Sequence, residues 1–272
     1  MPIARFAKSL RNYGIMVFGL GLLAFMCFVW GVVATVLGLV LPASVGRRVG
    51  RRGAMRGFRA YLAIMEAVGA LRLDLSALDR LRDAGPLIVA PNHPSLIDAV
   101  LVASRLPDAF CVMKASLLGN FLLAPAARLA RYVRNDSLLA LAAKAGAELD
   151  LGGHLVLFPE GTRSTREPFG PFTAAVAVVS RRTGVPVQAV FIHADKSFLG
   201  KGVSLRECPA FPFHFRIELG RRFEPPKDVR AFTLELERHF AAELAARQAP
   251  AAAAASREAT GDRLASGRAA PE

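Results

Sequence analysis

Residues 87–98 read LIVAPNHPSLID: a short apolar run passes directly into a proline-flanked polar turn and then into a new apolar periodicity. A run of this length bounded by turn formers marks a buried strand, and Ser95 opens an expected helix over 95–106. His93 therefore stands at the strand's exit. Asp98 follows five residues on, in the first turn or so of that helix. A carboxylate placed there can reach back to one imidazole nitrogen, fixing the tautomer and raising the basicity of the other. With no evident serine or cysteine nucleophile, the pair suits deprotonation of a substrate hydroxyl. The same spacing also fits a histidine that only caps a turn, and the residues by themselves leave both readings standing. Ser95 is the nearest hydroxyl, but no nucleophile elbow surrounds it.

Outward from this stretch the pattern repeats. PLIVA (86–90), AFCVM (109–113), HLVLF (154–158) and VPVQAVFI (185–192) read as buried strands, and FHFRIEL (213–219) alternates like a half-exposed one. Helices are expected over 116–131, 137–149, 173–183 and 229–247. Alternating strands and helices predict an α/β fold, a mostly parallel or mixed sheet flanked by helices, with ligands bound beyond the carboxyl ends of the strands. A second motif, Phe158-Pro159-Glu160-Gly161-Thr162-Arg163-Ser164, lies at such an end. It reads either as a Pro-Gly turn facing water or as a site holding a phosphate and its neighbouring hydroxyl. Arginine's planar fork and a glycine that admits backbone N–H groups suit the latter.

NHPSLID with FPEGTRS some sixty residues later resembles the PlsC-like glycerolipid acyltransferase family, over about residues 86–192. That resemblance implies a PlsC-like domain on the cytoplasmic face of the inner membrane. It would transfer an acyl chain from a coenzyme A or acyl-carrier-protein thioester to a lipid hydroxyl in phospholipid biosynthesis, with 1-acylglycerol-3-phosphate as the type acceptor. The thioester is a co-substrate; no cofactor or metal is expected, and no His/Cys cluster points to one. By the resemblance His93 is the general base and Asp98 its orienting partner. Glu160, Gly161, Thr162 and Arg163 would line the acceptor site, with Arg163 on phosphate, and Val185-Pro186-Val187 would serve acyl-chain or sheet packing. One block departs from the family pattern. Where a glycine, an apolar–aromatic pair and an arginine are usual, the chain has Ala130-Arg131-Tyr132-Val133-Arg134-Asn135. Asn135 then occupies the arginine's place and Arg134 falls one position early, which on a strand is the opposite face. Arg134 and Lys114 remain as candidate acceptor-binding cations. Lys114 to Leu117 also resembles relatives that acylate ornithine-type or polyene lipids. A catalytically idle lipid-binding protein, and a thioesterase or lipase using Ser95, are the competing readings.

The N-terminal part has a different character. Gly14–Leu41 carries no charge, and a helix of that length spans about 42 Å, enough for a hydrocarbon core of about 30 Å and too long for a cleavable signal. Its glycines leave open a helix that bends and returns. The basic segment after it carries Arg47, Arg48, Arg51, Arg52, Arg56 and Arg59 at helical spacing, as for an amphipathic helix resting on anionic headgroups. The chain has 35 Lys+Arg against 22 Asp+Glu, yet residues 1–65 contain nine basic residues and no acid. The remaining body is nearly balanced, which argues for a bilayer surface as the polyanion and against nucleic acid. The positive-inside bias places the body in the cytoplasm. The chain thus divides into a membrane anchor with basic interfacial helix (1–59), an α/β domain (60–247) and an Ala-rich disordered tail (248–272). Cys27, Cys111 and Cys208 lie too far apart in sequence for a metal clip or disulfide framework.

Overall fold

The computed structural model describes residues 2–114, 119–164, 169–194 and 210–246. Its sheet contains β1 (Leu71–Asp74), β2 (Leu87–Pro91), β3 (Ala109–Met113), β4 (Val133–Arg134), β5 (His154–Val156), β6 (Val187–Ala194) and β7 (Phe213–Phe223). The spatial order is β1-β7-β6-β2-β5-β3-β4. Neighbours run parallel except β6 and β7, so the expected mixed α/β sheet is the observed one. β1 is an addition to the expected strands, because four residues carry too little periodicity to stand out.

The helices are α1 (Pro2–Val40), α2 (Ala43–Ala67), α3 (Asp98–Ala103), α4 (Ala124–Leu129), α5 (Leu138–Leu149), α6 (Ala175–Thr183) and α7 (229–246). The helix expected over 95–106 shortens to α3, because the 94–97 stretch turns before it coils. Of the helix expected over 116–131, the described residues coil only in α4, with 119–123 in turns before it. The expected tail lies outside the described residues.

Strand parity divides the interior. Leu87, Val89, Cys111, Val156 and Ile192 face α2 and α3. Ile88, Ala90, Phe110, Leu155 and Phe191 face α5, α6 and α7. β2 is buried along its whole length, hence its unbroken apolar sequence. On β7, Phe213, Phe215 and Ile217 turn inward while His214 and Arg216 face out, as its alternation indicated. After β2 the chain crosses to β3 on one side, returns to lay β5 directly against β2, then crosses to β6 on the other side. That reversal opens a crevice at the carboxyl ends of β2 and β5.

α1 is unbroken through its glycines and turns at Pro42 into α2, which packs antiparallel against it. Two glycines in α2 serve close packing: a Cβ on Gly53 would lie 2.2 Å from the Trp30 ring, and one on Gly50 would lie 2.7 Å from the Ala130 nitrogen. α2 also corrects the picture of six lipid-facing arginines. Arg48, Arg52, Arg56 and Arg59 form one exposed stripe, but Arg51 is 2% exposed and turns into the body. There its Nε donates to the Ala130 carbonyl, its Nη2 lies 2.5 Å from Glu148 Oε2, and its guanidinium lies over the Phe110 ring. Arg47 approaches the same Glu148 oxygen at 3.6 Å. The hairpin is thus bolted to the domain, and α2 runs continuously across the 59/60 boundary drawn from sequence.

Candidate active site

β2 and β5 pair in parallel, with Leu157 N–H donating to the Val89 carbonyl just past the ladder, so their outgoing loops lie side by side. In the first loop, His93 Nδ1 and Asp98 Oδ2 are 2.8 Å apart. The same oxygen accepts the Ser95 N–H at 2.7 Å, which fixes the carboxylate in the turn that launches α3. Asp98 is fully buried. Burial pushes its carboxyl up to about 6, against the hydrogen bonds from His93 and Ser95 that favour the charged form. A proton on His93 Nδ1 shared with Asp98 leaves Nε2 with its lone pair free. The imidazole stacks on Phe158 of the second loop, ring centroids 3.9 Å apart, and its edge lines a cavity.

The second loop holds the first in place. Glu160 is 5% exposed, and its Oε1 accepts the His93 backbone N–H at 3.0 Å and the Ser164 hydroxyl at 2.8 Å. Its Oε2 accepts the Gly170 N–H at 2.6 Å. Ser164 N–H donates to the His93 carbonyl at 2.9 Å, so both peptide groups of His93 are strapped by the FPEGTRS loop. The loop can turn this sharply because Gly161 adopts φ +66°, a left-handed conformation that side chains with Cβ resist. On the far side of β2, Asn92 donates to the Ile192 carbonyl and accepts the Ile192 N–H at 3.0 and 2.7 Å, fixing the loop's root to β6.

The cavity has a volume of about 650 Å³ and a mainly apolar wall. His93, Lys114, Asn135, Gly161, Thr162 and Arg163 lie at its polar part. The remainder is contributed by the sheet, by α3 to α6 and, unforeseen from sequence, by the hairpin: Met26, Cys27 and Trp30 of α1 with Ala54, Gly57 and Phe58 of α2. Cys111 and Tyr132 both line this wall; burial pushes the thiol up to about 12 and the phenol well above its usual value. Both are neutral near pH 7, so Cys111 is no nucleophile.

Among the sequence candidates, His93, Lys114, Gly161, Thr162 and Arg163 thus share one cavity, with Asp98 behind His93. Two positions depart from expectation. Glu160 does not line the cavity; its carboxylate holds the two loops together. Arg134 is half-exposed, turns away and pairs with Asp136, while Asn135 lines the cavity, as the one-residue shift on β4 requires. Ser95 is fully buried and is not part of the cavity wall, which removes the footing for a serine nucleophile. Asn92 and Ser164 stand inside the two motifs, but their roles carried no sequence signal, because their partners, Ile192 and His93, are distant in sequence.

Residues 72–193 match the family model described as acyltransferase. The chain also superposes on the crystal structure of the 1-acyl-sn-glycerophosphate (LPA) acyltransferase, PlsC, from Thermotoga maritima. That similarity has a TM-score of 0.64 and 18% identity over 85% of this chain and 93% of the other. Residues 72–193 are an acyltransferase domain with the PlsC fold. No curated protein sequence gives a match to the chain. The matched segment begins within β1 and ends within β6. It therefore contains the loops after β2 and β5 but not the hairpin that completes the cavity.

Proposed function

We propose that the chain is a membrane-bound O-acyltransferase. It moves a fatty acyl group from an acyl-CoA or acyl-carrier-protein thioester to the hydroxyl of a lysophospholipid of the 1-acylglycerol-3-phosphate type, in phospholipid biosynthesis. The carrying observation is a buried-carboxylate-backed imidazole opening onto an apolar cavity with Lys114 and Arg163 at its polar part. His93 Nε2 takes the acceptor's hydroxyl proton as the oxygen attacks the thioester carbonyl. The C–S bond then breaks, and the departing thiolate receives that proton, leaving an ester and a free thiol. Arg163 and Lys114 suit the acceptor's phosphate. The T. maritima neighbour's named substrate supports the same acceptor class.

The membrane assignment rests on α1. Phe6–Val40 has a mean hydropathy of 2.4 in its most apolar window, of which 11% is buried. Phe25, Phe28, Val32, Val36 and Leu39 remain exposed on its outer side. Its inner side follows the body from Met16, beside Ile97 and Phe211, to Ala34, beside Leu129. A helix held along the domain in this way favours insertion into one leaflet over a free span, on the cytoplasmic face of the inner membrane.

Asn135 in the cavity wall favours a second reading, an acceptor without a phosphate monoester, such as an ornithine-type or polyene lipid. Acyl transfer on membranes, with both thioesters against a panel of lysolipids and hydroxy-lipids, tests both. Lysophosphatidate acylation lost in His93→Ala supports the first, and reaction of non-phosphate acceptors alone replaces it with the second.

A further inference from the structure

Away from the catalytic cavity, a groove of about 440 Å³ lies where the end of α1, the start of α2 and α4 meet. Ala34, Gly38 and Leu41 form one wall, and Arg47, Arg128 and Arg131 stand around it. No acidic residue lines it among the described residues. Glu148 faces Arg47 from behind, but its carboxylate is already shared with Arg51, so the local charge stays positive. Arg128 and Arg131 are exposed and make no ion pair among the described residues. Arg47 Nε is buried and has no acceptor, an unsatisfied donor of the kind proteins rarely leave. The apolar wall runs on into the exposed outer surface of α1 at Val36, Leu39 and Val40.

We propose that this groove binds one anionic phospholipid of the bilayer, distinct from substrate, resting on the membrane-bound reading above. The lipid phosphate sits among the three guanidiniums, whose planar forks match its oxygens, and an acyl chain lies along Gly38 and Leu41 toward α1's outer face. A free phosphate has no use for the apolar wall. A zwitterionic headgroup finds no carboxylate in the groove for its ammonium. The bound lipid would pack against the turn Ala130–Tyr132, whose Arg131 has φ +59° and whose Tyr132 lines the catalytic cavity.

The test uses the full chain purified in non-ionic detergent, titrated with mixed micelles of phosphatidylglycerol or phosphatidylcholine, with bound lipid counted by native mass spectrometry. Saturation at one phosphatidylglycerol per chain is expected, weakened at least about tenfold in Arg128→Gln/Arg131→Gln. It should stay within about twofold of the parent in Arg52→Gln/Arg56→Gln, which thins only the outward stripe. Equal loss in both double variants, equal binding of phosphatidylcholine, absence of saturation, or displacement by millimolar inorganic phosphate would each overturn the proposal. Retained acyl transfer and melting temperature in Arg128→Gln/Arg131→Gln show that the fold is intact; if either collapses, Arg128→Lys/Arg131→Lys must still bind with reduced affinity. Vesicle flotation of the parent tests membrane association separately: a chain that floats yet shows no saturable lipid fails only here.

Discussion

The loops after β2 and β5 leave adjacent parallel strands, and each carries a carboxylate, but the two carboxylates do opposite things. Asp98 lies under one imidazole nitrogen and tunes a group that faces the cavity. Glu160 accepts from His93 N–H, Ser164 hydroxyl and Gly170 N–H, and holds the two loops in position. Chemistry and geometry are therefore assigned to different loops, and substitutions should separate them. The largest effect is expected for His93→Ala. Removing a general base costs about 10²–10⁴ in rate, while the side chain's only described partners are Asp98 and Phe158, so kcat should fall by that factor with little change in melting temperature. A variant retaining parental kcat would break the assignment.

Glu160→Gln attacks the other loop. The amide must point an NH₂ at one of the N–H donors its carboxylate accepts, leaving buried donors unsatisfied at about 1–3 kcal/mol each. Both stability and activity should drop, by several degrees in thermal melts and roughly tenfold or more in kcat. If kcat falls with an unchanged melting curve, Glu160 acts on substrate and not on the loops.

The pair also predicts a pH signature. The Asp98 carboxyl, raised by burial to about 6, must be ionised to hold the Nδ1 proton. As pH falls through that value, kcat/KM should decline about tenfold per unit. Stability moves the other way. A carboxyl with a folded pKa above its unfolded value of about 3.9 binds its proton more tightly in the native state. This group alone therefore adds stability as pH drops from about 6 toward 4, an increment lost again as pH rises. Asp98→Asn should remove both trends, with activity low throughout; an acid limb persisting in that variant would assign it elsewhere.

How much of this was legible in the sequence follows from the range of each interaction. The strand, His93 and Asp98 are local to twelve residues, so periodicity and spacing brought the pair together, while the role of general base came only from the family resemblance. The FPEGTRS loop was visible as a motif, but Glu160's role was not, because its partner His93 stands 67 residues earlier and meets it only through the β2–β5 pairing. α2 shows the same limit. Six arginines at helical spacing read as one lipid-facing stripe, yet Arg51 is separated from its surface neighbours by its partner Glu148, 97 residues away. Membership of the hairpin in the cavity wall was equally hidden, since apolar residues on an anchor look alike whether they face lipid or substrate.

The smallest expected effect is also the finest division between the two loops. Ser164 gives Glu160 a hydroxyl and His93 a backbone N–H. Ser164→Ala removes only the first. Glu160 Oε1 keeps the His93 N–H, and the alanine N–H still reaches the His93 carbonyl, so no buried group is stranded. A single hydrogen bond of this kind contributes about 0.5–1.5 kcal/mol. The melting temperature should therefore fall by a few degrees at most, with kcat within about threefold of the parent and its dependence on pH unchanged. A loss of activity approaching that of His93→Ala would place the hydroxyl on the reacting atoms and would overturn the division of labour between the loops. A loss approaching that of Glu160→Gln would show that the strap works through the hydroxyl more than through the peptide groups.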